Sequence, residues 1–178
     1  MEKLELFDKR PKENRSEREN IVYDVLEKLN IPFLRVDHKA TGTIAECENI
    51  DEILGIKICK NLFLCNASKT KFYLLMMPGE KQFKTKELSH QIGSTRLSFA
   101  PEEYMVKYLD LTPGSVSIMG LINDTDNNVQ LLIDQDVLKQ EYIGCHPCIN
   151  TSSLKIKTTD ITEKFLPYTG HYITVVSL

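Results

Sequence analysis

The chain has 178 residues, 42% of them hydrophobic and 26% charged, with a formal net charge of −3 and a pI near 5.8. That balance belongs to a globular domain large enough to bury its own core, and it excludes a disordered chain and a globally basic nucleic-acid wrapper. No apolar run nears the ~18 residues of a membrane helix. The first 20 residues lack the apolar stretch of a signal peptide. Five scattered cysteines, an odd number, predict reduced thiols and a cytoplasmic location.

In chain order, residues 1–14 are strongly charged and read as a flexible segment before a single domain over 15–178. A helix is expected over 15–29. Ser16 and Glu19 have capping-box spacing, and Ile21, Val22, Val25, Leu26 and Leu29 share one face. Asn30 and Pro32 stop it. A short strand over 33–36 and a weaker helix over 43–54 follow, the latter ended by Gly55. Strands over 62–65 and 72–76 flank the polar turn 66–69, and Pro78-Gly79 breaks the chain. A short helix over 86–92 closes on Gly93. Pro101, Glu102 and Glu103 open another helix that ends near Asp110. Residues 115–122 and 129–133 read as a second hairpin around 123–128, and the stretch with Gly144 and Pro147 as a loop. A strand over 154–157, a helix over 160–166 and a strand over 172–176 complete the chain. Hairpins with helices between them predict α+β with a mixed or antiparallel sheet.

Charge is distributed unevenly. Residues 57–86 carry seven lysines against one acid, and residues 101–141 carry eight acids against two lysines. Two readings follow: a mixed, solvated surface, or a local phosphate-binding face on an acidic protein.

Cys145-His146-Pro147-Cys148 has the C-x-x-C spacing of a redox pair or half a zinc site. A redox pair should open a helix after a strand, whereas Pro147 and the residues after it read as loop. Zinc needs a second ligand pair, and Cys47, Cys59 and Cys65 stand alone. Unpaired small residues in a loop are the simpler reading. No nucleophile elbow, P-loop, dinucleotide fingerprint or H-E-x-x-H run occurs. Lys60-Asn61 directly precedes an apolar strand, where a lysine charge at a cleft rim would meet a phosphate or carbonyl. A solvated edge lysine gives the same spacing. Gly114-Ser115-Val116-Ser117 and Gly120 fit either simple turns or close approach of a ligand to the backbone.

Taken in order, several of these pieces resemble the YbaK/prolyl-tRNA-synthetase-associated domain family of aminoacyl-tRNA deacylases. The resemblance rests on KNLFL at 60–64, IGSTRLSF at 92–99, TPGSV at 112–116, GLIND at 120–124, and His146-Pro147 followed by Asn150, with Asp37-His38 before the second helix. It spans roughly 21–176. It implies a mixed, barrel-like β-sheet surrounded by helices, with a cleft on one side. The implied activity is hydrolysis of the ester between a misattached amino acid and a tRNA's terminal adenosine, without metal or other cofactor. The freestanding members act on alanine carried by proline tRNA, and the tRNA's own free hydroxyl is thought to help activate water.

Site residues follow by resemblance. Lys60, Gly144 and His146 match the catalytic positions, with Lys60 near the terminal phosphate or carbonyl and Gly144, His146 and Pro147 in the loop that closes the pocket. Asn61, Ser115, Ser117, Gly120, Asn150 and His38 would bind substrate. Implied partners are the acceptor end of proline tRNA and prolyl-tRNA synthetase, with no membrane. Ala40-Thr41-Gly42-Thr43 and Ile118-Met119 depart from the family's usual residues where the amino-acid pocket is expected. A non-catalytic tRNA- or synthetase-binding module with the same fold would carry the same signature.

Overall fold

The computed structural model describes residues 4–40, 44–57 and 59–178, without the side chains of 44–46. Thr41, Gly42 and Thr43, part of the expected departure from the family pattern, lie outside the described residues.

Helix α1 spans Glu17–Lys28. The Ser16 hydroxyl accepts from the Glu19 N–H, satisfying one donor that a helix start leaves unpaired. The capping box is only half used, because the buried Glu19 carboxylate instead accepts from the Tyr23 hydroxyl at 3.2 Å. Val22, Tyr23, Val25 and Leu26 turn inward. The N-terminal segment, read from its charge as flexible, contributes strand β1 (Leu6–Phe7), which pairs antiparallel with β2 (Phe33–Asp37). Arg10 reaches Asp24 and Glu27 on α1.

β2 pairs with β8 (Ser152–Lys157), and β8 with β7 (Tyr142–Cys145), giving a four-stranded antiparallel sheet in the order β1-β2-β8-β7. Helix α2 (Ile44–Leu54) covers its outer face, where Ile50 and Leu54 pack on Val36. The second sheet is mixed, in the order β5-β3-β4-β6-β9. β3 (Cys59–Cys65) and β4 (Phe72–Pro78) form the expected hairpin. The Asn66 carboxamide oxygen holds the turn by accepting from the Thr70 and Lys71 N–H groups. The short β5 (Ser98–Phe99) adds to β3, while β6 (Val129–Asp134) and β9 (Ile173–Val176) add in parallel beyond β4.

Period-two alternation sends the β3 residues to opposite sides. Cys59, Phe63 and Cys65 enter the main core between the sheets, with Leu154 and Ile156 of β8 and Ile143 and Cys145 of β7. Leu62 and Leu64 face a second apolar layer containing Leu88 of helix α3 (Thr85–Gln91). β3 and β7 touch across the junction, but the sheets share no ladder among the described residues. The α+β fold is therefore barrel-like and open.

Two expected elements are different. Residues 115–122 are not a strand, and the hairpin expected over 115–133 does not form. Ile118–Asn123 is a 3₁₀ turn started by Ser117, whose hydroxyl accepts from the Met119 N–H at 3.1 Å. It packs on helix α4 (Glu102–Leu109): a Cβ at Gly120 would sit 2.7 Å from Leu111 Cδ1 and 3.3 Å from Leu109 Cβ. The expected partner, β6, lies between β4 and β9. The region read as loop around Gly144 instead holds β7. Helical pieces Gln135–Leu138, Thr158–Asp160, a π-wound turn Ile161–Phe165 and Leu166–Thr169 link the last strands. No helix among the described residues is long and apolar enough to cross a membrane.

Of the charge-biased stretches, Lys81 bridges the two, reaching buried Asp134 at 3.0 Å and Asp136 at 2.7 Å. Lys57, Lys60, Lys69, Lys71, Lys84 and Lys86 stay exposed.

Candidate active site

A hollow of about 30 Å³ lies where the end of α2, the outer edge of β7–β8 and the start of β3 meet. Leu54, Ile56, Cys59, Asn61, Gly144, Cys145, His146 and Ser153 line it. Its volume accepts one or two groups the size of a water or methyl. Gly144 makes the space possible, because a Cβ there would stand 2.5 Å from Ile56 Cδ1.

The polar groups are held in definite states. His146 Nδ1 lies 2.8 Å from the Ser152 carbonyl oxygen. A carbonyl only accepts, so this nitrogen carries the proton and Nε2 keeps its lone pair. Burial, chiefly, holds the His146 pKa below the usual histidine value, with nearby His38 acting in the same direction. The Ser117 hydroxyl donates to the His146 carbonyl at 2.6 Å, tying the loop to the 3₁₀ turn. His38 Nδ1 donates to the Lys39 carbonyl at 2.7 Å, and its Nε2 lies 2.8 Å from Ser153 Oγ. With neutral His38, the Ser153 hydroxyl is therefore the donor in that contact. The Asn61 Nδ2 faces the Cys59 carbonyl at 3.4 Å, which fixes the amide orientation. Its Oδ1 is buried and unpartnered among the described residues.

Thiolate chemistry has no support here. Burial pushes the Cys59 thiol up to about 12 and Cys145 higher still. Cys148 is also buried, with its thiol pushed up to about 12, and its backbone is left-handed at φ 62°. That conformation belongs to a turn, not the first turn of a redox helix. The described residues contain no group of three or more His, Cys, Asp or Glu arranged to hold a metal.

Among the residues singled out in the sequence, Asn61, Gly144 and His146 converge on the hollow, and His38 reaches it through Ser153. Lys60 lies on the opposite side of β3. Its exposed ammonium donates to the Lys81 carbonyl at 2.7 Å and makes no ion pair among the described residues. Ser117 and the buried Pro147 support the His146 loop. Ser115 closes the Thr112 turn, its hydroxyl donating to the Thr112 carbonyl at 2.8 Å. Gly120 packs on α4, and the Asn150 amide lies beside Gly114. Ile118 and Met119 are fully buried and do not line the hollow. Ser153, Leu54 and Ile56 were not singled out. The buried Ser152-Ser153 pair opening a strand is the only local hint of the first.

Residues 38–164 match the model of the aminoacyl-tRNA editing domain family, and the chain belongs to that family. It is 33% identical over 153 residues to the prolyl-tRNA editing protein ProX of Acetoanaerobium sticklandii, covering 86% of this chain and 93% of the relative. It is 27% identical to prolyl-tRNA synthetase associated domain-containing protein 1 of Danio rerio, covering 86% and 84%. Among solved structures it resembles a candidate trans-editing enzyme for prolyl tRNA synthetase (TM-score 0.68, 15% identity, 93% of this chain and 99% of that one). It also resembles the hypothetical protein APE2540 (TM-score 0.66, 18% identity, 88% and 99%). At these identities, the structural matches speak for the fold.

Proposed function

We propose that the chain is a trans-editing hydrolase that removes alanine from mischarged proline tRNA by cleaving the aminoacyl ester. The observation that carries this reading is the convergence of Asn61, Gly144, His146 and Ser153 on a hollow the size of a small side chain, in a chain of the editing family. Proline carries a ring where alanine carries a methyl, and a hollow this tight selects against the ring by exclusion.

An aminoacyl ester is already activated, so positioning supplies much of what the reaction needs. The neutral His146 Nε2 lone pair accepts a proton from the attacking water. Water oxygen bonds to the ester carbonyl carbon, the bond from that carbon to the ribose oxygen breaks, and the ribose oxygen takes up the proton. The hollow offers no charged donor for the developing oxyanion, so the carbonyl oxygen sits at its rim. Lys60, exposed on the other side of β3 and without an ion pair among the described residues, meets the terminal phosphate, and the other exposed lysines of 57–86 support the acceptor stem. Prolyl-tRNA synthetase is the second partner, and the cytoplasm is the compartment.

Purified protein incubated with alanine-charged proline tRNA should release alanine well above the buffer rate and leave proline-charged tRNA intact. No release above buffer refutes the reading. Salt-dependent tRNA binding without turnover would identify a binding module instead.

A further inference from the structure

The Phe99 ring takes no part in the hollow and belongs to neither apolar layer. It is 64% exposed and ends the IGSTRLSF run at 92–99, which the site leaves unused. The run nevertheless holds the ring in place. Thr95 Oγ1 accepts from the Ala67 N–H at 3.1 Å, and Ser89 Oγ accepts from the Leu97 N–H at 3.3 Å. Leu97 is buried in the second apolar layer, and the Ala100 N–H donates to the Phe63 carbonyl at 2.9 Å. The Phe83 ring packs on the same layer and stands 6.1 Å from the Phe99 ring, tilted by 54°, an attractive aromatic geometry.

A lone exposed apolar side chain is ordinary; the surroundings set this one apart. The β5 ladder puts Phe99 opposite Leu64, so its ring lies on the face of β3 that carries Lys60, Leu62 and Leu64. Along the strand, Lys60 is about 13 Å away. Phe83 is followed at once by exposed Lys84 and, two residues on, by exposed Lys86. Lys84 pairs with Glu87 at 3.4 Å, and Glu80 is the other acid of this stretch. Glu102 and Glu103 follow closely in sequence, but they open α4, which packs on the main core. Fixed aromatic faces set among lysines suit an unpaired nucleic-acid strand, whose phosphates meet the cations while a base lies on a ring. A duplex cannot use such a ring, because its bases are already stacked.

Resting on the editing reading above, we infer that Phe99 is a stacking platform for a base of the tRNA's unpaired 3′ end, upstream of the terminal adenosine. Phe83 is its positioning residue, backing the ring from below. With the terminal phosphate at Lys60, the 3′ strand runs along β3 towards Phe99 and reaches it within a few nucleotides. Every base has a π-face, so the contact measures strandedness and not sequence. It gives this face a means of preferring a frayed, single-stranded end over the stem.

The test measures binding of uncharged proline tRNA, whole and trimmed of its unpaired 3′ nucleotides, to wild type, Phe99→Ala, Phe99→Leu and Phe99→Tyr, each checked for native melting. Phe99→Ala should weaken binding of whole tRNA by about 5- to 150-fold, the range for removing one base stack, and bind trimmed tRNA within twofold of wild type. Phe99→Tyr should stay within threefold of wild type on whole tRNA, and Phe99→Leu should fall with Phe99→Ala. The salt slope of binding should not change in any of them, because no phosphate contact is removed. With alanyl-tRNA as substrate, Phe99→Ala should raise KM and hold kcat.

Stacking is overturned if Phe99→Ala binds whole tRNA within twofold of wild type, if it weakens whole and trimmed tRNA alike, or if Phe99→Leu binds as wild type does. A Phe99→Ala defect seen only with prolyl-tRNA synthetase present would make the ring a protein-docking residue and overturn it too. The two readings fail separately. Binding that behaves as expected without release of alanine removes the hydrolase and keeps the platform, and release of alanine without the binding contrast does the reverse.

Discussion

Gly144→Ala tests whether the hollow is the reaction chamber. The new Cβ would lie 2.5 Å from Ile56 Cδ1, 3.7 Å from Ile56 Cγ1 and 3.9 Å from the Leu154 carbonyl oxygen. Only the first contact is prohibitive, and it involves the end of a half-buried side chain. Gly144 lies in a strand without a positive φ, so backbone strain adds nothing. Ile56 therefore swings aside at about 1 kcal/mol, the low end for overpacking. In a chain of this length that lowers Tm by about 2–4 °C. The hollow itself is only about 30 Å³, and one methyl with a displaced Ile56 fills most of it. Deacylation of alanyl-tRNA should drop at least 100-fold in kcat/KM while the melting curve barely moves. The companion change, Ile56→Ala, removes the wall and should let proline-charged tRNA be cleaved. Full alanyl activity in Gly144→Ala, with Tm lowered by no more than those few degrees, would refute the placement of the reaction in this hollow.

Three further outcomes are expected. The His146 pKa is held below the usual value near 6.5, mainly by burial. The neutral base and the stability it contributes should thus both persist above pH 6.5 and fall away only at lower pH; a rate profile with its acidic limb above 7 would contradict this. Buried Asp124 accepts from Asn128 N and Val129 N at 2.9 and 2.8 Å and from His171 Nε2 at 2.9 Å. Burial pushes its pKa up, but these bonds outweigh that and hold it below the ordinary value. Its stabilisation is present above about pH 4 and is lost as pH falls through the depressed value. Asp124→Ala should cost about 3 kcal/mol in urea unfolding at pH 7, and a loss under 1 kcal/mol would contradict the role assigned. Lys60→Ala should leave Tm unchanged, lower kcat/KM at least tenfold and reduce the salt slope of tRNA binding by about one; unchanged kinetics would remove Lys60 from the site.

Much of the fold was legible because local signals and burial agree. Ser16 marked the start of α1, and the Asn66 turn marked the β3–β4 hairpin. Residues 115–122 misled because alternation of Ser, Val, Ile and Leu imitates a strand. Ser117 caps the turn, and Gly120 lets the chain press onto Leu109 and Leu111; that contact is tertiary and invisible to periodicity. β7 was hidden because Gly144 and Pro147 are loop residues by propensity, and its ladder to β8 forms only once the sheet exists. The site was legible in part. Asn61, Gly144 and His146 stand out through family resemblance, but Ser153 reaches the hollow only through the β2–β8 register, which opposes it to Val36.

That register explains how so bare a site is held in place. His38 continues from β2, and its N–H donates to the Thr151 carbonyl just before β8. The same pairing places His38 beside Ser153, and the turn between β7 and β8 returns the Ser152 carbonyl to His146. One antiparallel ladder thus fixes both histidine tautomers, while Ser117 pins the loop from the other side. Asn61 arrives independently, on the second sheet. The hollow forms only when the sheets dock, so its acceptors are set by the packing that buries Cys59, Cys145 and Leu154 in one core. Loosening that core should impair chemistry before it unfolds the chain, because a shift of about 1 Å between sheets is enough to separate Asn61 from Ser153 functionally.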